Sequence, residues 1–219
     1  MITRGDIVRE LTAYGAAKDP SLTLAEVAVR IGALERPALP LERYSRHLQA
    51  LADKVATYAR ADDGAVPVAV MAEALCQVLV RHMGYGGGET GGRDEDCFEL
   101  SRVIDSREGA AEALSILYAE TARRLGWEAQ ILHVPGRTVV RVESLGERLI
   151  LDPLGMGRVV EPADLRAIVK AYAGIESELT PNGITELDDK AALLNMMAGR
   201  KSVLLRSKRL DDAAELIEC

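Results

Sequence analysis

The stretch that decides the fold runs from Arg107 to Asp152 and reads REGAAEALSILYAETARRLGWEAQILHVPGRTVVRVESLGERLILD. Its first part carries apolar residues three and four positions apart, which predicts an amphipathic helix. Three runs rich in β-branched and aliphatic residues follow: EAQILHV, TVVRV and RLILD. Turn signals separate these runs at Pro135–Gly136 and Leu145–Glu147. The sequence therefore predicts a helix that leads into a small antiparallel sheet.

This order of helix, turns and strands resembles the transglutaminase-like superfamily, whose fold is shared with papain-like cysteine enzymes. In that family a Cys begins the helix, a His begins the second strand and an Asp ends the third, and together they produce a reactive thiolate. Counting back from the ARRLG end of the helix, the Cys position holds Ala111. The family's Pro-Gly-His reads Pro-Gly-Arg and ends at Arg137, while the acid is kept as Asp152. The resemblance therefore implies the family's fold without two of its three catalytic side chains.

The resemblance covers about residues 20 to 215 and is closest to a bacterial branch that joins a transglutaminase-like core to a tetratricopeptide-like tail. The blocks GAAEALSILYAETARRLG, VPGR and LILDPLGMGR carry it. We therefore expect an α+β protein, mainly helical with a small antiparallel sheet. The expected regions are an N-terminal helical region (1–60), the transglutaminase-like core (61–174) and a C-terminal helical hairpin (175–219). One such hairpin is too short for a solenoid, since about three repeats are needed to bury a core, so we expect it to pack on the core.

Composition and charge exclude several classes of function. Aromatic residues make up only 4% of the chain, so Ala and Leu must fill a largely helical core. The formal net charge of −7 argues against nucleic acid as a partner, because phosphate binding needs a concentrated basic surface. No apolar run reaches the ~18 residues of a membrane span, and the N-terminus lacks a signal-peptide pattern, so a cytoplasmic protein is expected. The cysteines at 76, 97 and 219 show no spacing typical of a zinc site, and we expect no cofactor.

Helical patterns also precede the central stretch. They cover residues 5–16, 24–35, 41–60 and 68–83. Thr23 and Glu26 have the spacing of a capping box, and the third helix has a predicted buried stripe of Tyr44, Leu48, Leu51, Val55 and Tyr58. The first two helices superficially resemble a helix-turn-helix, which leaves a DNA-binding regulator as an alternative function. A basic, solvent-facing second helix would distinguish that alternative from a pair that packs in the core.

The substitutions at the catalytic positions have direct chemical consequences. Ala111 offers no nucleophile, and Arg137 stays protonated because its pKa exceeds ~12, so it cannot act as a general base. Arg137 can instead meet Asp152 in the place of the His, and we predict a bidentate ion pair between them. Arg107, Glu112 and Ser115 are expected to line what remains of the cleft. The glycine-rich loop at 84–93 lacks the Lys-Ser/Thr pair of a phosphate-binding loop and is expected to lie beside the cleft.

A relocated catalytic set is the second alternative. Cys97, His133 and Asp152 would supply the nucleophile, base and acid of a cysteine-type amidase or protease. Three acidic residues immediately precede Cys97, and nearby negative charge disfavours a thiolate. This argument favours an ordinary thiol at Cys97 and leaves the enzyme as the weaker hypothesis.

The function we expect is that of a non-catalytic protein-interaction or regulatory module whose partner is another protein. A basic cluster near the C-terminus stands out in an acidic chain and is a candidate docking patch for an acidic partner. Its members are Arg200, Lys201, Arg206, Lys208 and Arg209. The alternative interpretation of this cluster is a solvated helix face.

Overall fold

The computed structural model describes residues 3–16, 21–60, 65–88, 93–180 and 183–210. The helices of this part of the chain are α1 (Arg4–Ala16), α2 (Leu24–Glu35), α3 (Leu41–Ala59), α4 (Val68–Leu75), α5 (Leu100–Ser106), α6 (Ala111–Arg123), α7 (Pro162–Ala173) and α8 (Asp189–Arg206). A π-helix (Cys76–His82) continues α4, and a short 3-10 helix (Glu95–Phe98) precedes α5. The strands are β1 (Glu128–Val134), β2 (Arg137–Ser144), β3 (Glu147–Asp152), β4 (Arg158–Val159) and β5 (Thr185–Leu187).

The strands form one antiparallel sheet in the order β4-β3-β2-β1-β5. Two-residue turns join the central strands, with Pro135 and Gly136 between β1 and β2 and Leu145 and Gly146 between β2 and β3. The predicted helix, turns and three strands are therefore confirmed, and so is the α+β fold. Strand β5, which pairs with β1, was not predicted because three residues are too few to show an alternating pattern.

The sheet lies between two helical layers. Val140, Val142 and Leu151 belong to the main hydrophobic cluster on the α6 side, whereas Leu132 and Val139 pack with α7 residues in a smaller cluster. Alternate residues of a strand point to opposite faces, so strands buried on both faces read as nearly continuous apolar runs. Helix α6 is buried along almost its whole length. This central helix positions the candidate site, because its first residue, Ala111, lies beside the sheet.

The helices before α6 follow the predicted boundaries closely, with two differences. Tyr44, Leu48, Leu51 and Val55 are buried as predicted, but Tyr58, the last residue but one of α3, is 42% exposed. The helix predicted over 68–83 changes at Cys76 from α- to π-helical hydrogen bonding. A stretch of seven residues is too short for apolar spacing to distinguish the two hydrogen-bonding patterns.

The three regions expected from the sequence share one core. The main hydrophobic cluster draws buried residues from α1 to α6 and from α8, whereas the buried residues of α7 belong to the smaller cluster. Helix α8 packs on α6 and on the 3-10 helix, where Gly199 lies so close to the Phe98 ring that an added Cβ would come within 2.2 Å of it. The second helix of the expected tetratricopeptide-like hairpin falls almost entirely outside the described residues. Among the described helices, none is both long and apolar enough to cross a bilayer.

Candidate functional site

The start of α6 is held by backbone hydrogen bonds from two preceding segments. Gly109 N donates to Gly86 O at 2.9 Å, and Ala110 N donates to Cys97 O at 2.9 Å. Gly109 is needed here because a Cβ would lie 2.8 Å from a Val103 methyl group. The glycine loop and the 3-10 helix therefore flank the helix start, and Ala111 is only 6% exposed. The position that the resemblance gives to the nucleophile holds a buried methyl group.

Arg137 and Asp152 face each other across the start of β2 and the end of β3. Their closest charged atoms, Arg137 Nη1 and Asp152 Oδ1, are 3.9 Å apart. This distance is an ion pair but is too long for a hydrogen bond, so the predicted bidentate geometry is not formed. Arg137 Nε and Asp152 Oδ1 are both buried without a hydrogen-bond partner in the described part of the chain.

The turn after β3 packs against the Asp152 carboxylate. Gly157 N donates to Asp152 O at 2.9 Å, which closes the turn over the side chain. A Cβ at Gly155 would come within 2.4 Å of Asp152 Oδ2. The backbone of the turn therefore holds the Asp152 carboxylate from one side.

Glu112 lies near this ion pair, whereas Ser115 has a structural role. Burial raises the pKa of Glu112, and the Glu112 backbone N–H and the Arg137 charge oppose that rise. Ser115 Oγ donates to Thr138 O at 3.2 Å within the protein interior. Glu112, Arg137 and Asp152 are thus brought together, and we call them the carboxylate–arginine cluster.

Two residues near the cluster were missed by the sequence reasoning. Tyr118 Oη is buried without a hydrogen-bond partner among the described residues and lies under Gly157, where an added Cβ would be 2.6 Å from Oη. Cys76 Sγ is close to the same glycine and donates to Met156 O at 3.5 Å. Burial raises the pKa of both the Tyr118 hydroxyl and the Cys76 thiol. A raised pKa disfavours the thiolate, which is the nucleophilic form of the Cys76 side chain.

Arg107 does not line the cleft as predicted. Its backbone is left-handed, with φ of 70°, and its guanidinium lies over the Tyr85 ring at 4.8 Å from the centroid. Arg107 donates to Tyr85 Oη, and its Nη1 is 3.1 Å from His47 Nε2. Burial, followed by the Arg107 and Arg43 charges, lowers the pKa of His47 to about 4. Arg107 therefore links Tyr85 to α3, and its contacts are with Tyr85 and His47 rather than with the cluster.

The relocated set of Cys97, His133 and Asp152 is not assembled. His133 pairs with Thr138 of β2 and Thr185 of β5, whereas Asp152 is at the end of β3. Strand β2 separates the two residues, which places their strands about 10 Å apart. His133 Nδ1 is buried without a partner within the described residues. A base and an acid so placed cannot share a hydrogen bond.

The basic cluster near the C-terminus is divided by intramolecular ion pairs. Arg200 is only 8% exposed and donates to both Glu35 oxygens at 2.7 and 2.8 Å, so it is not a docking residue as predicted. Arg209 pairs with Glu95. Lys201 is half-buried, and Arg206 and Lys208 are exposed. The predicted docking patch therefore exposes less positive charge than the sequence suggested.

The N-terminal helices do not have the surface of a DNA reader. Helix α2 occupies the second position of the predicted pair, and it buries most of its residues against α1, α3 and α6. Its Arg30 is bound to Glu10 at 2.5 Å. Helix α2 is therefore a core helix, as the sequence favoured. Within the described ranges, no three His, Cys, Asp or Glu side chains are grouped to hold a metal ion.

Comparison with known proteins identifies relatives in other bacteria. The chain is 25% identical to a UPF0162 protein of Xylella fastidiosa over 90% of its own length and 70% of that protein. It is 25% identical to a UPF0162 protein of Vibrio cholerae over 63% of its length and 51% of the relative. It is 24% identical to Protein SirB1 of Salmonella typhimurium over 58% of its length and 47% of the relative. No solved structure matches the chain.

The family comparison covers the elements that build the site. The transglutaminase-like superfamily matches residues 42–198, from the start of α3 into α8. This range includes α6 and all five strands, and so it contains every residue of the carboxylate–arginine cluster. The chain belongs to the transglutaminase-like superfamily.

Proposed function

We propose that this protein is a non-catalytic member of its family that regulates another protein by binding it at the carboxylate–arginine cluster. The observation that carries the proposal is the position of Arg137, which faces Asp152 at 3.9 Å. The resemblance of Pro135-Gly136-Arg137 to the family's Pro-Gly-His implies that this Arg takes the place of the catalytic His. A guanidinium remains protonated at every physiological pH, so it cannot accept the proton of a thiol. It is suited to recognition instead, because it offers several donors in a fixed plane.

The surroundings of Arg137 support a binding role. The side chain is 23% exposed, so part of the guanidinium is accessible to a partner. The opposing Asp152 Oδ1 is a buried acceptor that lacks a hydrogen bond among the described residues. Because the two residues do not hydrogen-bond to each other, the accessible guanidinium donors of Arg137 remain available to an acceptor on a partner. Ala111, for its part, has no atom that attacks a carbonyl carbon.

Activity assays test the non-catalytic half of the proposal. The protein would be assayed for incorporation of a fluorescent primary amine into casein and for hydrolysis of peptide nitroanilides. We expect rates equal to the uncatalysed background, and the same rates for Asp152→Asn and Cys97→Ala. A rate above background that either substitution abolishes would show that the protein is an enzyme.

Affinity capture tests the binding half. The protein would be immobilised and exposed to a lysate of its own cells, beside Arg137→Ala and a matched control, Arg166→Ala, on the exposed side of α7. We expect to find a protein that the wild type and Arg166→Ala retain but Arg137→Ala does not. After purification, that protein should bind Arg137→Ala at least tenfold more weakly than it binds the wild type. Equal retention by all three variants would remove the cluster from the binding site.

A further inference from the structure

A second concave surface lies at the other end of the sheet from the carboxylate–arginine cluster. It is a cavity of about 490 Å³ between the turn after α6, the β2–β3 hairpin and the chain before α4. Helix α6 runs from the cluster toward this cavity over 13 residues, which is about 20 Å. We call it the hairpin pocket. It shares no residue with the cluster, so its role does not depend on the function proposed above.

The hairpin at the edge of this pocket carries a residue that the turn does not favour. Leu145 and Gly146 both have positive φ, 53° and 80°, as a type I′ turn requires. Asn or Asp commonly occupies the first position of such a turn, because a branched apolar side chain is strained there. The Leu145 side chain gains no burial in return, since it is 70% exposed. Folding therefore does not account for a leucine at this position.

The lining of the pocket joins an apolar floor to an acidic rim. Val66, Met71 and Trp127 each keep a small exposed fraction, at 8%, 4% and 8%. The charged residues that line it are Glu128 and Glu143, which lie directly opposite each other on β1 and β2. Like charges in this arrangement oppose each other. Glu143 is neutralised by Arg141 at 2.5 Å, whereas Glu128 is exposed and has no ion pair among the described residues.

We propose that the hairpin pocket docks a partner polypeptide through an apolar side chain flanked by Lys or Arg. The apolar side chain would enter the cavity against Trp127 and cover Leu145, which removes apolar surface from water. A neighbouring cation would pair with Glu128, the carboxylate of the rim that has no ion pair among the described residues. The strained, exposed Leu145 is explained because it is buried only in the complex.

Trp127 provides the measurement, because it is the only Trp in the chain and it lines the pocket. The protein would be titrated with the peptide Gly-Lys-Leu-Lys-Leu-Lys-Gly, which lacks Trp, while Trp emission is recorded. Two further peptides test the apolar and the charged contacts separately. In one, each Leu is replaced by Ser, and in the other, each Lys is replaced by Glu. We expect a saturable change in emission with the first peptide alone, at micromolar to millimolar concentration, and weaker binding at higher salt.

Variants then assign the binding to the pocket. Leu145→Asn suits the turn and keeps the protein folded, and we expect it to weaken the peptide at least tenfold. Ile175→Asn, at another exposed apolar position, is the matched control and leaves binding unchanged. Glu128→Gln would weaken binding about threefold and reduce its salt dependence, with Glu176→Gln as its control.

Three outcomes would overturn the proposal. The first is no change in Trp127 emission with the Lys-Leu peptide up to 1 mM. The second is equal binding of the Ser or Glu peptides, or unchanged binding by Leu145→Asn. The third is self-association of the wild type in sedimentation that Leu145→Asn abolishes, which would show that a second copy of the chain occupies the pocket.

Discussion

Asp152 is the most deeply buried charge of the carboxylate–arginine cluster, with 1% of its surface exposed. Arg137 is the cation that compensates it, although the 3.9 Å separation leaves both groups without a mutual hydrogen bond. Removal of one member of a buried pair leaves the other charge unbalanced, which costs more than the pair itself contributes. The stability of the fold should therefore depend on Arg137 more than its partial exposure suggests.

A double-mutant cycle tests this dependence. We expect Arg137→Met to lower the free energy of unfolding by about 2–4 kcal/mol, and the double variant with Asp152→Asn to recover at least half of that loss. Urea unfolding followed by far-UV circular dichroism gives the four free energies. Strict additivity of the two substitutions would show that the residues do not interact.

His47 is a second residue whose charge state is set by its neighbours. Burial and the Arg107 charge lower the pKa of His47 from 6.5 to about 4 in the folded protein. As the pH falls, the unfolded chain takes up this proton first, so stability is complete above pH 6.5 and is lost between pH 6.5 and 4. We expect a loss of about 1–3 kcal/mol over this window, and a smaller loss for His47→Gln. Urea midpoints measured across this range check it, and parallel curves for both proteins would contradict the assignment.

At the scale of elements, periodicity predicted the helix and strands of the central stretch because each is long enough to repeat its pattern. It did not predict β5, which has three residues, or the π-helix that begins at Cys76. The π-helix matters for the site, since it places Cys76 against the turn that closes over Asp152. Apolar spacing does not record a local change of hydrogen bonding, so the contact of Cys76 with this turn could not be predicted from the sequence.

The turn after β3 packs on the unpartnered hydroxyl of Tyr118, and this contact gives a prediction at the element scale. Gly157 has φ of 68°, and an added Cβ would lie 2.6 Å from Tyr118 Oη. We expect Gly157→Ala to cost about 2–3 kcal/mol, from backbone strain and from this contact. Tyr118→Phe removes a buried hydroxyl that has no partner among the described residues, and should stabilise the protein by about 1 kcal/mol.

Thermal unfolding of the two single variants and the double variant separates these effects. Gly157→Ala should cost less in the Tyr118→Phe background, because the oxygen that its Cβ would meet is gone. An equal cost in both backgrounds would assign the loss to backbone strain alone.

At the scale of the molecule, the sequence predicted which charged groups meet at the cluster but not which basic residues are buried. Arg137 and Asp152 are placed by strand ends that the central stretch defines. Arg200 was predicted on a docking patch, but it is buried between α8 and α2 in a bidentate pair with Glu35, 165 residues away. Such a contact depends on how α8 crosses the core, and no local pattern in the chain contains that information.

This contact leads to a prediction about cooperativity. Helix α8 contributes Leu193, Met196 and Val203 to the same hydrophobic cluster as α2 and α6, and Arg200 joins it to α2. A shared core unfolds as one unit, so the regions 1–60, 61–174 and 175–219 should not melt separately. We expect the unfolding curves recorded by Trp127 emission and by far-UV circular dichroism to coincide in a single transition. Leu193→Ala should lower the free energy of unfolding by about 2–4 kcal/mol and should shift the midpoints of both signals together. An early transition seen by circular dichroism alone would mean that α8 is a separate unit.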